Sequence, residues 1–504
     1  MTTRWETYPI KFEGGLITNV NRLEQGATFP GSATTLQNYE PDIREGYTKI
    51  LGTSKFSETA VPGTGNVLGV VTVGPSEALA LRSGRFYTST GAGWTERLVQ
   101  TAPTTGRLAY DRYNFTGVPK IVVVDGVNPP AYFDTVTKTM AYATAAPTDV
   151  VGASRAALYK SHLFFAKGPL LSFTVPFTEQ NFSIGSGAGV INVGDEITGL
   201  IVFREQLIIF CLNKIFRLVG NSEADFQLQP ITNDTGCLCG FTIQEVGGDI
   251  MYLGPDGIRY LSASERENDF GLSRASAKIQ KLVTDATLSE CFYSSVTIAS
   301  KGQYRLFTYV SNIPKSQSQG FLGVKFSNQT VDDISWATLK GMKVYSLSKF
   351  QGRNRETLLF SSEDGFVYRM ESGNSFDGED IEAIFETPFI PVNDPKIRKT
   401  FYKHTAYVRP SGVFELGASL IFDYGQSDRP LSPSFTLESS TGAIWGNPST
   451  VWGSFIWSGS TEKEFFHNVV GSGFTVALRY YDKSQKPSHN LNFAILEYRT
   501  NERR

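Results

Sequence analysis

The residue types that most often perform catalysis are few in this chain and are far apart. Its 504 residues include four histidines, His162, His404, His467 and His489, and none has the paired spacing of a zinc site. His162 lies in the apolar stretch YKSHLFFA, which predicts a core or sheet-edge histidine, whereas His489 lies in a polar stretch that predicts solvation. The histidines therefore predict neither a metal site nor a catalytic base.

Paired carboxylates are the second kind of candidate for chemistry. Glu363-Asp364 and Asp332-Asp333 are of the type that glycosidases use, but both pairs occur in turn-like segments, which favour solvated loops. The acidic turn at 374–380 lacks the alternating ligands of an EF-hand. The glycine-rich stretch 185–196 is not followed by the residues of a phosphate loop. We therefore predict no catalytic, cofactor-binding or metal-binding residues, no cofactor and no enzymatic activity.

The four cysteines, Cys211, Cys237, Cys239 and Cys291, predict buried free thiols. Cys237 and Cys239 are separated by one residue, which is too close for ordinary disulfide geometry, and no second pair stands at metal-ligand spacing. The cysteines therefore favour a reducing compartment or no redox constraint.

A segment rich in Ser, Gly and Trp, residues 439–462, leaves two interpretations open. Trp445, Trp452 and Trp457 would either stack on sugar rings or contact a partner, or they would pack in the core of the C-terminal part of the chain.

The overall composition is typical of a β-rich protein. Aromatic residues make up 13% and charged residues 19%, a mixture that suits pleated surfaces. The formal net charge is −2, and no basic domain suggests binding to a phosphate backbone. No apolar run reaches the length of a signal peptide or of a membrane span, so we expect no stable membrane insertion.

The elements that would position any site are predicted by a unit that recurs about every 40 residues. GGDIMYLGPDGIRYLS and RETLLFSSEDGFVYRM each consist of an apolar strand, an Asp-Gly turn and a second strand. We expect two-residue hairpin turns at Asp256-Gly257 and Asp364-Gly365, and weaker ones at Ser83-Gly84 and Asn213-Lys214. The repeat predicts an all-β fold containing a β-propeller of six or seven blades.

Three regions follow from the same pattern. Residues 1–60 resemble an extended N-terminal arm that pairs with the C-terminal domain, with candidate strands near 36–39 and 47–51. Residues 61–378 form the propeller, whose units lie near 66–100, 105–145, 152–195, 196–235, 239–290, 291–340 and 341–378. A short helix is expected at 273–286, capped by Ser273 or Ser276. Residues 379–504 are expected to form a β-sandwich-like platform.

Three stretches of this sequence resemble the tail nozzle proteins of short-tailed bacteriophages, the tail tubular protein B type. The first combines GGL at 14–16 with PGSATTLQNYEPDIREGYTKILG, in which Asn38, Glu40 and Arg44-Glu45-Gly46 follow the order of that family. Glu45 and Tyr47 depart from the commoner Arg and Pro. The second stretch is TGCLCGFTIQEVGGDIMYLGPDGIRYLS, and the third is EDGFVYRM followed by KIRKTFYKHTAYV.

This resemblance implies a virion structural protein of the viral tail. Such a subunit forms a homo-oligomeric, hexameric ring that attaches to a tail adaptor protein and contacts a tail fibre or spike protein. Viral DNA passes through the channel without sequence-specific binding, and the ring retains and then releases the genome. Assembly would take place in the host cytoplasm.

The alternative from the residues is a carbohydrate-binding or glycan-cleaving propeller of a tail spike or secreted protein, served by the repeated Asp-Gly turns and surface tryptophans.

Overall fold

The computed structural model describes residues 5–42, 46–262, 274–287, 291–325, 334–353, 356–425, 435–438 and 463–501. Several residues named above lie outside the described part of the chain: Arg44, Glu45, Ser273, Asp332, Asp333, Trp445, Trp452 and Trp457. No helix among the described residues is both long and apolar enough to cross a membrane.

The N-terminal segment contains five short strands and one helix, and the C-terminal segment contains seven strands. The first elements are β1 (Glu6–Lys11), α1 (Arg22–Thr28), β2 (Thr35–Gln37), β3 (Tyr39–Pro41), β4 (Tyr47–Lys49) and β5 (Thr53–Lys55).

Between them, strands β6 to β31 follow in chain order. Their bounds are β6 (Gly69–Gly74), β7 (Glu77–Arg82), β8 (Arg85–Ser89), β9 (Thr95–Val99), β10 (Ala109–Tyr113), β11 (Lys120–Val124), β12 (Ala131–Asp134), β13 (Met140–Tyr142), β14 (Arg155–Tyr159), β15 (His162–Lys167), β16 (Leu170–Phe173), β17 (Gly189–Asn192), β18 (Ile197–Phe203), β19 (Gln206–Cys211), β20 (Ile215–Val219), β21 (Gln227–Thr232), β22 (Gln244–Val246), β23 (Asp249–Gly254), β24 (Gly257–Tyr260), β25 (Phe292–Ile298), β26 (Gln303–Tyr309), β27 (Gln319–Val324), β28 (Ser335–Leu339), β29 (Ser346–Gln351), β30 (Glu356–Ser361) and β31 (Val367–Met370). The helix α2 (Gln280–Thr287) lies between β24 and β25.

The C-terminal strands are longer. They are β32 (Ile381–Glu386), β33 (Lys399–Pro410), β34 (Glu415–Phe422), β35 (Phe435–Glu438), β36 (Lys463–Gly473), β37 (Val476–Ser484) and β38 (His489–Thr500). The prediction of an all-β fold built from repeated antiparallel sheets is confirmed.

Seven antiparallel sheets form a closed ring, the arrangement of a β-propeller. Four consecutive strands make up each of the first four sheets, β6–β9 to β18–β21; β22–β24 form the fifth, β25–β28 lie in the sixth, and β29–β31 belong to the seventh. Apolar clusters join each of these sheets to the next. The last cluster joins the seventh sheet to the first through Val70, Ala80 and Leu359, so the ring is closed.

The ring is closed by an N-terminal strand as well as by packing. β5 pairs antiparallel with β31, so residues 53–55 supply the fourth strand of a sheet whose other strands lie some 300 residues later in the chain. Thr72 of the first sheet and Ser348 of the seventh are joined by their side-chain oxygens at 2.5 Å. The first and last sheets are therefore held by hydrogen bonds across the closure.

The predicted hairpins are present, but three of the four turns are shifted. Gly254 lies opposite Gly257, so the loop is Pro255-Asp256, in which the ring of Pro255 fixes the first turn position. Glu363, Asp364 and Gly365 form a three-residue loop between Ser362 and Phe366.

One of the remaining two hairpin turns is shifted in the same way. Cys211 donates to the carbonyl of Lys214, which centres that turn on Leu212-Asn213. Only Ser83-Gly84 forms a two-residue turn at the predicted positions, with φ values of 50° and 72°. Near the predicted helix, α2 begins at Gln280 after a 3-10 turn, and the Ser276 side chain does not cap that turn.

The N-terminal segment joins the ring to two large C-terminal sheets. β2 pairs parallel with β28 of the sixth ring sheet and antiparallel with β32, which makes one nine-stranded sheet. β1 and β4 both pair with β38 in a six-stranded sheet that also contains β3, β33 and β36. Sequence inspection associated this segment with the C-terminal strands; its pairing with a ring sheet was not foreseen.

The nine-stranded and six-stranded sheets pack face to face. His404 on β33 and Tyr480 on β37 form a hydrogen bond of 2.7 Å between the two sheets. The ring of Phe12 meets Phe385 edge to face, with centroids 4.8 Å apart, and Phe385 stacks on Tyr480. These side chains belong to the largest apolar cluster of the chain, which extends into the fifth, sixth and seventh ring sheets.

A buried ionic cluster lies where the arm, the sixth sheet and the seventh sheet meet. Arg305 on β26 is fully buried and binds Glu40 of β3 at 3.0 Å and Glu371, which follows β31, at 2.7 Å. Lys301 pairs with the same two carboxylates. Burial alone would raise the pKa of Glu371, but Arg305 and Lys301 outweigh it and hold that pKa below its ordinary value.

The first prediction concerns Gly365, whose backbone φ is +88°. A Cβ at this position would overlap the guanidinium of Arg82, which donates to the carbonyls of Val61 and Gly65 beside the ring closure. Gly365→Ala should therefore lower the free energy of unfolding by about 2–3 kcal/mol, measured by urea denaturation.

Gly373→Ala is the matched control, because Gly373 has φ +77° but nothing lies within 4 Å of its added Cβ. The Gly373→Ala variant introduces backbone strain without a steric overlap, so it should lower the free energy of unfolding by about 1 kcal/mol. Equal losses in the two variants would show that Arg82 does not constrain the closure.

The second prediction concerns the ionic cluster. Glu40→Gln removes one of two carboxylates that neutralise buried Arg305 and should cost about 3 kcal/mol or more. Asp377→Asn breaks a pair with Lys55 that is about one-third exposed and should cost less than about 1 kcal/mol. Both free energies come from urea denaturation at pH 7; a similar small loss for the two variants would contradict the role given to Glu40.

Candidate functional site

Three of the four histidines are buried structural residues. Nδ1 of His162 lies 2.6 Å from the carbonyl oxygen of Thr174, in agreement with the expected core position. The prediction that His489 is solvated is wrong, because it begins β38 and is fully buried, with Nε2 2.8 Å from the hydroxyl of Tyr39. Polarity of the neighbouring residues misled the interpretation, since they pair with the arm rather than with water.

Two of the buried histidines, His404 and His489, are neutral at physiological pH. Burial, with a smaller contribution from Lys49, lowers the pKa of His489 to about 3. Burial and the neighbouring His467 likewise lower the pKa of His404 to about 3. His467 itself is exposed on β36. No group of three or more metal-ligating side chains forms within the described ranges.

The acidic pair Glu363-Asp364 is engaged in structural contacts. Glu363 accepts from Lys343 at 2.7 Å and from the hydroxyl of Tyr309 at 3.0 Å. Asp364 accepts from the Tyr368 hydroxyl at 2.7 Å and from the backbone of its own loop. These carboxylates hold the end of the seventh sheet.

The acidic turn at 374–380 is tied to the seventh sheet as well. Its Asp377 pairs with Lys55 of β5.

Two of the four thiols are fully buried and two are half-buried. Cys211 lies in β19 and Cys237 in the connection to the fifth sheet, and burial raises the pKa of each thiol to about 12. Cys239 and Cys291 are only half-buried, so the prediction of buried thiols holds for two positions. All four are free.

The amino ends of the innermost strands form the most distinctive arrangement of charged and aromatic groups in the ring. The first strands of neighbouring sheets contact one another, as in β10 with β14, β14 with β18, and β29 with β6, so these strands surround the ring axis. Seven residues at or near their amino ends lie together, and we call them the axial cluster: Arg107, Arg155, Cys239, Phe241, Phe292, Ser294 and Tyr345.

Two arginines dominate the axial cluster. The guanidinium carbons of Arg107 and Arg155 lie 4.0 and 4.2 Å from the centre of the same ring, that of Phe241. Arg107 donates to the Ser294 hydroxyl at 2.6 Å and to the carbonyl of Tyr345 at 3.0 Å. Residues of the second, third, fifth, sixth and seventh segments thus meet at one end of the axis.

No sequence motif marks this cluster. Arg107 and Arg155 are 48 positions apart and neither belongs to a recognised motif. The two arginines do share a position in consecutive units, because Arg107 lies just before β10 and Arg155 begins β14. That shared position is the one sequence feature that could have indicated the cluster.

A cavity lies at the junction of arm and ring. It has a volume of about 300 Å³ and is lined by β2, α2, β27 and β28, with Leu36, Leu282 and Phe321 among its apolar residues. Gln37, Asp285 and Lys340 add polar groups.

The outer edge of the six-stranded sheet presents exposed apolar side chains. β36 pairs with β33 on one side, and no described strand pairs with its other side. Its side chains Phe466 and Val470 are 65% and 85% exposed, and Trp5 and Tyr402 form an exposed edge-to-face pair nearby. We call these four residues the β36 surface. A long, open edge strand with apolar side chains is typical of a protein interface.

Comparison with known proteins gives only distant similarities to solved structures. No protein-family model matches the chain, and no curated protein matches it. Among solved structures, it is similar to the extracellular domain of a one-component system from B. thetaiotaomicron (10% identity, 72% of this chain and 44% of that one, TM-score 0.41). It is also similar to an ancestral GH74 enzyme (9% identity, 65% of this chain and 49% of that one, TM-score 0.42). A third similar structure is that of the WD40 repeats of RRP9 (8% identity, 64% of this chain and 99% of that one, TM-score 0.43).

The chain spans less than half the length of the first two of these structures. At such identities and TM-scores the similarities say nothing about function.

The third prediction follows from the neutral buried histidines. The pKa of His489 is about 3 in the folded chain and about 6.5 in the unfolded chain, so the unfolded chain binds the proton first as the pH falls. Stability contributed by a neutral His489 is therefore complete above pH 6.5 and is lost towards pH 3. Between pH 7 and pH 5 the loss should be about 2 kcal/mol for this residue.

Urea denaturation at both pH values tests this. His489→Gln should reduce the pH-dependent loss by about 2 kcal/mol relative to the unmodified chain. An unchanged pH dependence in His489→Gln would refute the assignment.

Proposed function

We propose that this chain is a virion structural protein, a subunit of the ring-shaped tail nozzle of a short-tailed bacteriophage. The observation that carries the proposal is the β36 surface. β36 has eleven residues, no described strand pairs with its outer side, and Phe466 and Val470 on it are exposed. Such an edge exposes a monomer to aggregation unless another chain covers it. In a permanent ring, a neighbouring subunit would bury this edge.

The residues that resemble the nozzle family hold key positions in the fold, which supports the proposal. Gly15 approaches β28 so closely that a Cβ would lie 2.7 Å from the backbone nitrogen of Trp336. Asn38, with φ 54°, donates to the carbonyls of Lys340 and Glu382 and so bridges the ring to the C-terminal strands. Glu40 binds buried Arg305.

In this proposal the chain consists of a seven-bladed propeller, a β-sandwich-like platform and an N-terminal arm that pairs with the platform. The propeller is a rigid wall element, and the platform contacts neighbouring subunits, the tail adaptor and a fibre or spike protein. Six subunits surround a channel that retains the genome and releases it on attachment to the host. DNA passes through without sequence-specific binding, and assembly takes place in the host cytoplasm before incorporation into the tail. No enzymatic step is part of this function.

One observation favours a second candidate, a carbohydrate-binding or glycan-cleaving propeller. Phe292 at the end of the ring axis is 49% exposed, and an exposed aromatic ring is a common platform for a sugar. Incubation with glycans and analysis for shorter products distinguishes the two candidates, because the nozzle proposal expects no turnover.

The fourth prediction tests the β36 surface. Phe466→Glu and Val470→Glu place charges on an apolar interface and should abolish ring formation, observed by electron microscopy of the purified protein alone and mixed with tail particles. The thermal midpoint of the monomer should change little, because both side chains are exposed.

Val190→Glu is the control, since Val190 is 50% exposed but lies on β17, the last strand of the third ring sheet. Rings are expected in this variant. Rings that form normally in Phe466→Glu and Val470→Glu, or an unmodified chain that remains monomeric with and without particles, would defeat the nozzle proposal.

A further inference from the structure

The axial cluster carries positive charge that no carboxylate in the described part of the chain balances. Arg107 and Arg155 are both half-buried, and neither lies within 4.0 Å of an aspartate or glutamate oxygen in the described part of the chain. By contrast, buried Arg305 has two carboxylate partners, and buried Lys49 binds Asp482 at 2.8 Å. Desolvated cations are normally paired, so two unpaired ones side by side need an explanation.

The neighbours of these arginines fix their positions without neutralising them. Arg155 donates from Nε to the carbonyl of Thr198 at 2.7 Å and from Nη1 to the carbonyl of Ser154 at 2.6 Å. Arg107 uses Nη1 for Ser294 and Tyr345, and its Nη2 lies 3.5 Å from the sulfur of Cys239. Among the described residues, Nε of Arg107 and Nη2 of Arg155 have no hydrogen-bond acceptor, so donors remain for a ligand.

The electrostatics of the axial cluster also favour binding of an anion. Burial lowers the pKa of both arginines, and the charge of Arg107 lowers that of Arg155 further. Both guanidinium groups stay protonated, because arginine does not lose its proton in proteins. The ring of Phe241 and backbone carbonyls hold the two guanidinium groups in position despite their mutual repulsion. An anion near both groups would remove that repulsion and would gain charge-assisted hydrogen bonds.

We propose that the axial cluster is a binding site for the anionic group, a carboxylate or a phosphate, of a compact ligand. Arg107 and Arg155 donate to the anion. Phe292 is 49% exposed and lies 5.6 Å from the guanidinium of Arg107, so its ring is placed to contact the apolar face of the same ligand. This site is independent of the β36 surface and of ring assembly.

Isothermal titration of the full chain tests the site with three probes at matched ionic strength: glucuronate, inorganic phosphate and neutral glucose. We expect glucuronate or phosphate to bind and glucose not to bind. If glucuronate alone binds, the ligand is a sugar acid; if phosphate alone binds, it is a phosphorylated compound. Absence of binding by both anions overturns the proposal.

Variants then locate the site. Arg107→Gln and Arg155→Gln should each weaken anion binding at least about tenfold, because each removes one charge-assisted donor. Arg85→Gln is the matched control, since Arg85 is exposed and pairs with Glu96 on the first sheet. Equal weakening in all three variants would indicate a nonspecific charge effect and would overturn the proposal.

A measurement on the unmodified chain makes the test independent of how the variants fold. The bound anion should raise the thermal midpoint, whereas chloride at the same ionic strength should not. A midpoint that rises equally with chloride contradicts a specific site.

Discussion

Full burial of one guanidinium group, that of Arg305, is the constraint on which the assembly of this chain depends. A charge without contact to water is tolerated only with opposite charges beside it, and here they come from two distant segments, through Glu40 and Glu371. The arm, the sixth ring sheet and the end of the seventh must therefore meet at one point. Lys301 adds a second positive charge beside the same two carboxylates, and the side-chain amide of Gln303 donates to Glu40 at 2.9 Å.

Polar groups are also buried between segments close by, on the arm strands β3 and β4. Lys49 and Asp482 are each 1% exposed and join β4 to β37, while Tyr39 and His489 join β3 to β38. Apolar packing supplies most of the burial, but it is not directional. The ion pair and the hydrogen bonds select the one register in which these buried polar side chains all have partners. An apolar interface alone would not specify that register.

Sequence patterns predicted the β-rich class, the repeated antiparallel units and the helix near 280, because each depends on short-range periodicity. Turn positions were less predictable: Pro255 moved one hairpin loop by a residue, and the Glu363–Gly365 loop took three residues instead of two. Pairings over hundreds of residues, such as β5 with β31, leave no local trace.

Burial of polar residues was the other failure. His489 was judged from its polar neighbours, whereas its environment is made by Tyr39, 450 positions away in the chain. Arg107 and Arg155 were passed over for a related reason, since each becomes notable only when the ring brings it to the ring of Phe241. Residues that act through long-range contacts are invisible to a scan of neighbouring positions.

The pairing of β5 with β31 has a consequence for synthesis of the chain. Residues 53–55 leave the ribosome long before residues 367–370 exist, and β1 and β4 wait still longer for β38. Early in translation β1 and β5 have no native partner and β4 has only β3, so their open edges favour aggregation. Such contacts between distant residues also slow folding, because a long loop must close first. Completion of this fold therefore waits until β38 has been synthesised, and the nascent arm is the segment that chaperones would most need to protect.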